Sequence, residues 1–152
     1  MYKTILVPLD GSKRAEMILP HVEELAGHYN SKVIFLQVVE QVSFVMGDEE
    51  ACRANWELHQ KEQDKLNKEA KFYLSALQGE FRERGIKAVS RVVHGYVARE
   101  IMSAAEREEA DLIAIASHGR SGLTRVFYGS VTASILHRAD RPLLLIRARG
   151  EA

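Results

Sequence analysis

Apolar positions recur along this chain in two alternating rhythms. Thr4-Ile5-Leu6-Val7-Pro8-Leu9 is a short, branched, nearly continuous apolar run, the pattern of a strand buried on both faces of a parallel sheet. Asp10-Gly11-Ser12 then marks a turn and a helix N-cap. Beyond it Ala15, Ile18, Leu19, Val22, Leu25, Ala26 and Tyr29 fall three and four apart, one face of an amphipathic helix. The alternation continues. Lys32 to Val39 predicts a second strand. Gln41 to Gln63 has no clear period and predicts a loop running into a helix. Leu66, Ala70, Tyr73, Leu74, Leu77 and Phe81 form a sharp helical face, with Gly85 as its C-cap. Ile86 to His94 predicts a third strand, broken by Gly95. Val97, Ile101, Ala104 and Ala105 predict a third helix. Asp111 to Ala116 predicts the fourth strand, Ser117 to Tyr128 a loop, Gly129 to Ala139 a short helix, and Pro142 to Ile146 the fifth strand.

Five strands alternating with four helices predict an α/β fold, an open parallel sheet with helices on both faces. No internal repeat or linker divides the 152 residues, so a single domain over 1–152 is expected. Lys plus Arg and Asp plus Glu are 21 each. Zero net charge gives no electrostatic ground for binding nucleic acid or an anionic membrane. No apolar run approaches the ~20 residues that cross a bilayer, no secretory signal opens the chain, and the cytoplasm is the expected compartment. The one cysteine, Cys52, has no partner motif around it and reads as a half-buried small residue rather than a redox centre.

In an open parallel sheet, ligands bind beyond the carboxyl ends of the strands, where the strand order reverses. If the first strand is central, two loops line that crevice: Pro8-Leu9-Asp10-Gly11-Ser12 and Ser117-His118-Gly119-Arg120-Ser121-Gly122. The second leads to Gly129-Ser130 at the start of the last helix. Glycines permit close backbone approach, and free N–H groups at a helix start attract anions. The arrangement suits a polyphosphate. Ser130 reads equally as a plain N-cap or as a phosphate donor, and Thr132 lies in the same first turn. Neither G-x-x-x-x-G-K-[ST] nor G-x-G-x-x-G occurs.

The opening Ile5 to Ser12, the stretch Ala114 to Gly122, Gly129-Ser130-Val131-Thr132 and Arg141 to Ile146 together closely resemble the universal stress protein family, over nearly the whole chain apart from about Gln41 to Asp64. The family's ATP-binding branch carries G-x-x-G-x(9)-G-[ST]. Gly119, nine residues, Gly129 and Ser130 match it, and Ala116 stands where the first glycine would be. The exchange adds one methyl group, and a position that needs positive φ would resist it. The resemblance implies a Rossmann-like sheet of order 3-2-1-4-5 and ATP, or ADP or AMP, as ligand. It implies that Pro8, Leu9 and Asp10 border the adenosine, with Asp10 near the ribose, and that the Val38 backbone meets the adenine. Ile115, Ala116, His118 and Gly119 would line the ribose and phosphates, and Gly129, Ser130, Val131 and Thr132 would cradle the phosphates. Mg²⁺ or Mn²⁺ would come with the nucleotide, held mainly by phosphate oxygens.

In that order the fifth strand is an edge, where Pro142 is tolerated. An apolar edge is sticky, and pairing with a second copy through Pro142 to Arg147 gives a two-fold homodimer. His21 and His28 lack metal-ligand spacing and read as surface residues. Trp56 reads as packing rather than as a stacking platform, and Arg120 and Arg125 as phosphate contacts or solvent-facing charges. Three functions fit: a nucleotide-binding regulatory protein with a protein partner the sequence does not name, a slow ATP hydrolase, and a dimeric interaction module that has lost its ligand. The first accounts for the retained Gly119, Gly129 and Ser130; the second lacks an evident acid–base pair.

Overall fold

The five apolar runs form the five strands of one sheet: β1 (Thr4–Pro8), β2 (Lys32–Val39), β3 (Lys87–His94), β4 (Leu112–Gly119) and β5 (Leu143–Arg149). The computed structural model describes residues 1–40, 49–119 and 130–149. All four neighbouring strand pairs are parallel, and the order is β3-β2-β1-β4-β5, as expected. β4 continues three residues past Ala116, so Ser117, His118 and Gly119 belong to the strand rather than to a loop. They pair in register with Arg147, Ala148 and Arg149.

Among the described residues four helices flank the sheet: α1 (Leu19–Tyr29), α2 (Glu49–Glu83), α3 (Val97–Arg107) and α4 (Ser130–Arg138). The stripe expected as one helix from Ala15 begins instead as a 3-10 turn over Ala15–Ile18. Pro20 explains the break. It has no N–H to give the Glu16 carbonyl, and Leu19 N–H takes that carbonyl instead. Pro20 then sits in the first turn of α1, where a missing donor costs nothing. Asn30 closes α1 in the left-handed region, φ 54°, with its N–H on the Ala26 carbonyl.

The largest departure from the sequence reading is α2. It starts at Glu49, well before Leu66, and runs for 35 residues, roughly 50 Å at about 1.5 Å per residue. Residues 49–65 contain neither Gly nor Pro and are rich in Glu, Lys, Gln and Ala, which favour helix without any apolar stripe. Periodicity could not show a helix there; propensity could. The C-terminus is where it was expected. Gly85, at φ 81°, lets Ile86 N–H reach back to the Phe81 carbonyl, 3.0 Å.

Helices divide cleanly between the two faces. α1 and α2 cover the face bearing Ile5, Val7, Phe35 and Ala114. α3 and α4 cover the face bearing Leu6, Ile34, Leu36, Ile113 and Ile115. On the first face the Phe35 and Phe81 rings meet edge to face at 4.9 Å and 88°. At the amino ends of the strands the Asp111 carboxylate accepts from Lys3 N–H, 2.8 Å, and Thr4 N–H, 3.0 Å. That pins the start of β1 beside the start of β4. Among the described residues no helix is long and apolar enough to cross a membrane.

Phe81 is 1% exposed and joins α2 to the sheet through Phe35. Phe81→Ala is expected to cost about 3–5 kcal/mol. The change in urea midpoint at constant slope measures it, and a loss under about 1 kcal/mol would show that α2 is not anchored there.

Candidate functional site

β1 ends at Pro8 while β2 runs on to Val39. The hydrogen bonds show what this leaves open. Leu9 N–H donates to the Leu36 carbonyl, 2.8 Å, and Gly95 N–H donates to the Val39 carbonyl, 3.2 Å. In a parallel strand each residue directs its N–H and C=O to one side, and the side alternates. Even-numbered residues of β2 therefore face β1 and odd-numbered ones face β3. Val38 is the next even residue after Leu36, and it faces the space from which β1 has turned away. Its backbone donor and acceptor are directed there side by side.

The turn out of β1 is held locally. Asp10 Oδ1 accepts from Ser12 N–H, 2.9 Å, and Ser12 Oγ accepts from Ala15 N–H, 3.1 Å. Gly11 sits at φ 85°, a conformation glycine takes without strain. Asp10 is thus a turn-former as well as a cleft residue, with one oxygen already committed.

A cavity of about 810 Å³ opens over the carboxyl ends of β1, β2 and β4, within the range of small-molecule sites. It brings together Pro8, Leu9, Asp10, Val38, Ile115, Ala116, Val131 and Thr132, eight of the residues expected from sequence. Pro8 and Leu9 are buried, and Asp10 is exposed at the rim. Thr132, in the first turn of α4, is 4% exposed. Ser130 opens α4 and faces solvent. His118 and Gly119 are the last two residues of β4. Gly129, Arg120 and Arg125 lie outside the described residues.

Ala116 is an ordinary strand residue, paired with Ile146 and absent from the residues at positive φ. The backbone makes no demand there that alanine fails to meet. Its methyl group lies on the cavity wall.

The sequence reading missed the second wall. Leu66, Glu69, Ala70 and Tyr73 of α2, Gln37 of β2, and Val97 and Ile101 of α3 also line the cavity. Leu66, Ala70, Tyr73, Val97 and Ile101 had all the marks of core stripe positions, because a helix face that covers a cleft has the same period as one that covers a sheet, and Glu69 carried no signal. Trp56, expected to pack, is 55% exposed and stacks on His59 with centroids 6.4 Å apart. His21 and His28 are exposed, as expected, and Cys52 is half-buried.

The charges on the cavity are one-sided. Asp10, Glu40 and Glu69 line it, and no Lys, Arg or His does among the described residues. A polyphosphate cannot rest against those carboxylates. The electropositive feature in reach is the start of α4, whose first-turn N–H groups have no intrahelical partner. A divalent cation on the phosphates would relieve the remaining repulsion. Among the described residues no cluster of side chains could hold a metal by itself.

Two buried polar atoms on the α2 side stand out. Gln37 Oε1 and the Tyr73 hydroxyl are enclosed and have no hydrogen-bond partner among the described residues. Tyr73 is pushed well above its ordinary value near 10, first by burial, then by the carboxylates of Glu16 and Asp10. Glu16 stands near enough to oppose a phenolate, but no hydrogen bond of sound geometry joins the pair. Tyr73 is therefore a neutral phenol at any physiological pH.

This has a consequence for stability. As pH rises past the ordinary phenol value, the unfolded chain loses the Tyr73 proton while the folded chain keeps it. The unfolded state then binds fewer protons, so stability falls with pH from about pH 10 upward. Tyr73→Phe removes that linkage and an orphan hydroxyl together. The variant is expected to be as stable as wild type or more so at pH 7, and to lose less stability between pH 9 and 11. Equal alkaline loss in urea titrations would refute the assignment.

A family model described as the universal stress protein family matches residues 1–147. Universal stress protein MJ0577 of Methanocaldococcus jannaschii is 30% identical over 157 aligned positions, covering 98% of this chain and 97% of its own length. Its solved structure superposes with a TM-score of 0.80 over 99% of both chains. At the level of fold alone, two more distant structures also match. One is a universal stress protein in complex with cAMP, 18% identical, TM-score 0.64, with 97% of this chain and 98% of that one covered. The other is a universal stress protein of Archaeoglobus fulgidus in complex with dAMP, 18% identical, TM-score 0.60, with 95% and 98% covered.

Proposed function

This chain belongs to the universal stress protein family, and from that we propose that it binds an adenine nucleotide, ATP with Mg²⁺ or Mn²⁺, in the cleft above β1, β2 and β4 and works as a nucleotide-dependent regulatory module. The observation that carries the reading is the placement of two unlike features across one cavity. Val38 directs a backbone donor and acceptor into the gap left by β1, and the first turn of α4 begins beside the cavity, with Val131 and Thr132 on its wall. The first suits the edge of a base, the second a phosphate chain. Pro8, Leu9, Asp10, Ile115 and Ala116 border the space between them. His118, Gly119, Gly129 and Ser130 complete the phosphate end in this reading. Two family members with this fold form complexes with adenine mononucleotides, which supports the ligand class.

The test is calorimetry with Mg²⁺ and ATP on protein stripped of copurified nucleotide. Wild type is expected to bind, and Gly129→Asp to lose at least about tenfold in affinity by placing a carboxylate among phosphates. If neither protein binds, the cleft is not a nucleotide site and the chain is better read as a dimeric interaction module.

β5 lies at the end of the sheet, and Leu143 to Ile146 are only half-buried on it. An unpaired apolar edge of this kind is a template for a second chain. We propose a homodimer through Pro142 to Arg147. Sedimentation at micromolar concentration is expected to give twice the 17.1 kDa chain mass, and a monomeric mass would remove the proposal.

A further inference from the structure

The cavity straddles the end of the sheet, and its two sides are chemically different. The α3 and α4 side is apolar: Val38, Val97, Ile101, Ile115 and Val131. Of the three buried side-chain atoms without a partner among the described residues, Gln37 Oε1, Gln63 Oε1 and the Tyr73 hydroxyl, two belong to residues that line the cavity, Gln37 and Tyr73, both on its α2 side. Alternation along β2 puts Gln37 on the same face as Phe35, which belongs to the core cluster against which Tyr73 packs. Gln37 and Tyr73 thus reach the cavity from two different elements, on one face of the sheet. Each has a buried polar atom with no partner among the described residues. Folded proteins rarely leave such atoms unpaired, and each instance calls for an explanation. One such atom could be incidental; two on one wall of this cavity form a complementary pair. Gln37 Oε1 is an acceptor. The Tyr73 hydroxyl, a neutral phenol, can donate, with the Glu16 carboxylate as its nearby competitor for that proton.

We propose that Gln37 and Tyr73 form a base-reading subsite, in which Gln37 Oε1 accepts from the exocyclic amino group of the ligand's purine and the Tyr73 hydroxyl donates to its N7. The inference rests on the nucleotide reading above and deepens it by assigning the base. An adenine presents an amino donor and the N7 acceptor side by side, and an oxo-purine presents two acceptors on the same edge. Val38, with donor and acceptor adjacent, meets the opposite edge of an adenine, N1 and the second amino hydrogen. An oxo group at C6 would face the fixed Val38 carbonyl, and Gln37 would have to turn its carboxamide over from the orientation seen here to donate to it. The carboxylates of Asp10 and Glu69 on the cavity and Glu16 behind Tyr73 likewise favour a hydrogen-bond donor and oppose an acceptor. Neither Gln37 nor Tyr73 touches the phosphate end, so the subsite sets which base is taken.

Calorimetry on stripped protein with MgATP, MgITP and Mg-7-deaza-ATP tests this on wild type, Gln37→Met and Tyr73→Phe. Gln37→Met keeps the volume and removes the acceptor. It is expected to weaken ATP roughly tenfold while changing ITP less than about twofold. Tyr73→Phe is expected to weaken ATP several-fold and to leave 7-deaza-ATP unchanged. Thermal midpoints check that both variants fold. If wild type binds ATP and Gln37→Met weakens ATP and ITP equally, or neither, the subsite is wrong while the nucleotide reading stands. Equal loss of ATP and 7-deaza-ATP in Tyr73→Phe likewise removes the tyrosine from it. If wild type binds none of the three, the nucleotide reading itself fails and takes the subsite with it.

Discussion

A strand-helix-strand connection between parallel strands is right-handed, and in this chain that rule fixes nearly everything else. β1 lies in the middle of the sheet. Successive connections through α1 and α2 build outward on one side of it, and those through α3 and α4 build outward on the other. With handedness fixed, reversing direction means changing faces. The faces do change: α1 and α2 share one core cluster, α3 and α4 the other. Between β1 and β4 the two sets of helices part, and among the described residues no connection closes the gap.

The same geometry explains why the two ends of the cleft differ. β1 stops at Pro8, because Asp10 and Gly11 turn the chain through the Asx contact to Ser12. β2 continues to Val39 because β3 still pairs with it, with Gly95 N–H on the Val39 carbonyl. A strand held on one side only must present unpaired backbone on the other. Val38 gains its directed donor and acceptor from strand lengths, with no contribution from its side chain. Opposite it, the first turn of α4 puts Val131 and Thr132 on the same cavity, and the first-turn N–H groups of a helix have no intrahelical partner. The carboxylates of Asp10, Glu40 and Glu69 on the cavity leave the start of α4 as the end that suits an anion.

Strands and sheet class were legible in the sequence because fully buried parallel strands are apolar without interruption, as in Ile5-Leu6-Val7 and Val33-Ile34-Phe35-Leu36. Boundaries set by single residues were legible too: Gly85 at positive φ, and Gly95 after β3. The first half of α2 was hidden because a helix with no wide apolar face has no period to detect. The α2 wall was hidden for a different reason. Leu66, Ala70 and Tyr73 repeat as core residues do, and nothing in one dimension distinguishes a stripe that covers a sheet from one that reaches past its end. Gln37 was hidden by its surroundings, one polar residue in an apolar strand. In retrospect a carboxamide inside a doubly covered strand was the available signal, since burying it unpaired carries a penalty of about 1–3 kcal/mol.

That penalty bears on how the fold and the site are related. An apolar side chain at position 37 or a phenylalanine at 73 would fit the same wall without an orphan atom. On stability alone such residues win, because a matched apolar replacement for an unpaired polar group is neutral or favourable. Retaining both costs the free protein stability to the extent that water in the cavity does not pair them, and a ligand returning hydrogen bonds to Gln37 and Tyr73 would restore it. Binding to the folded state alone stabilises it by mass action, about 2.7 kcal/mol at a hundredfold excess over Kd. In the proposed subsite, those contacts come from a base of one hydrogen-bonding pattern.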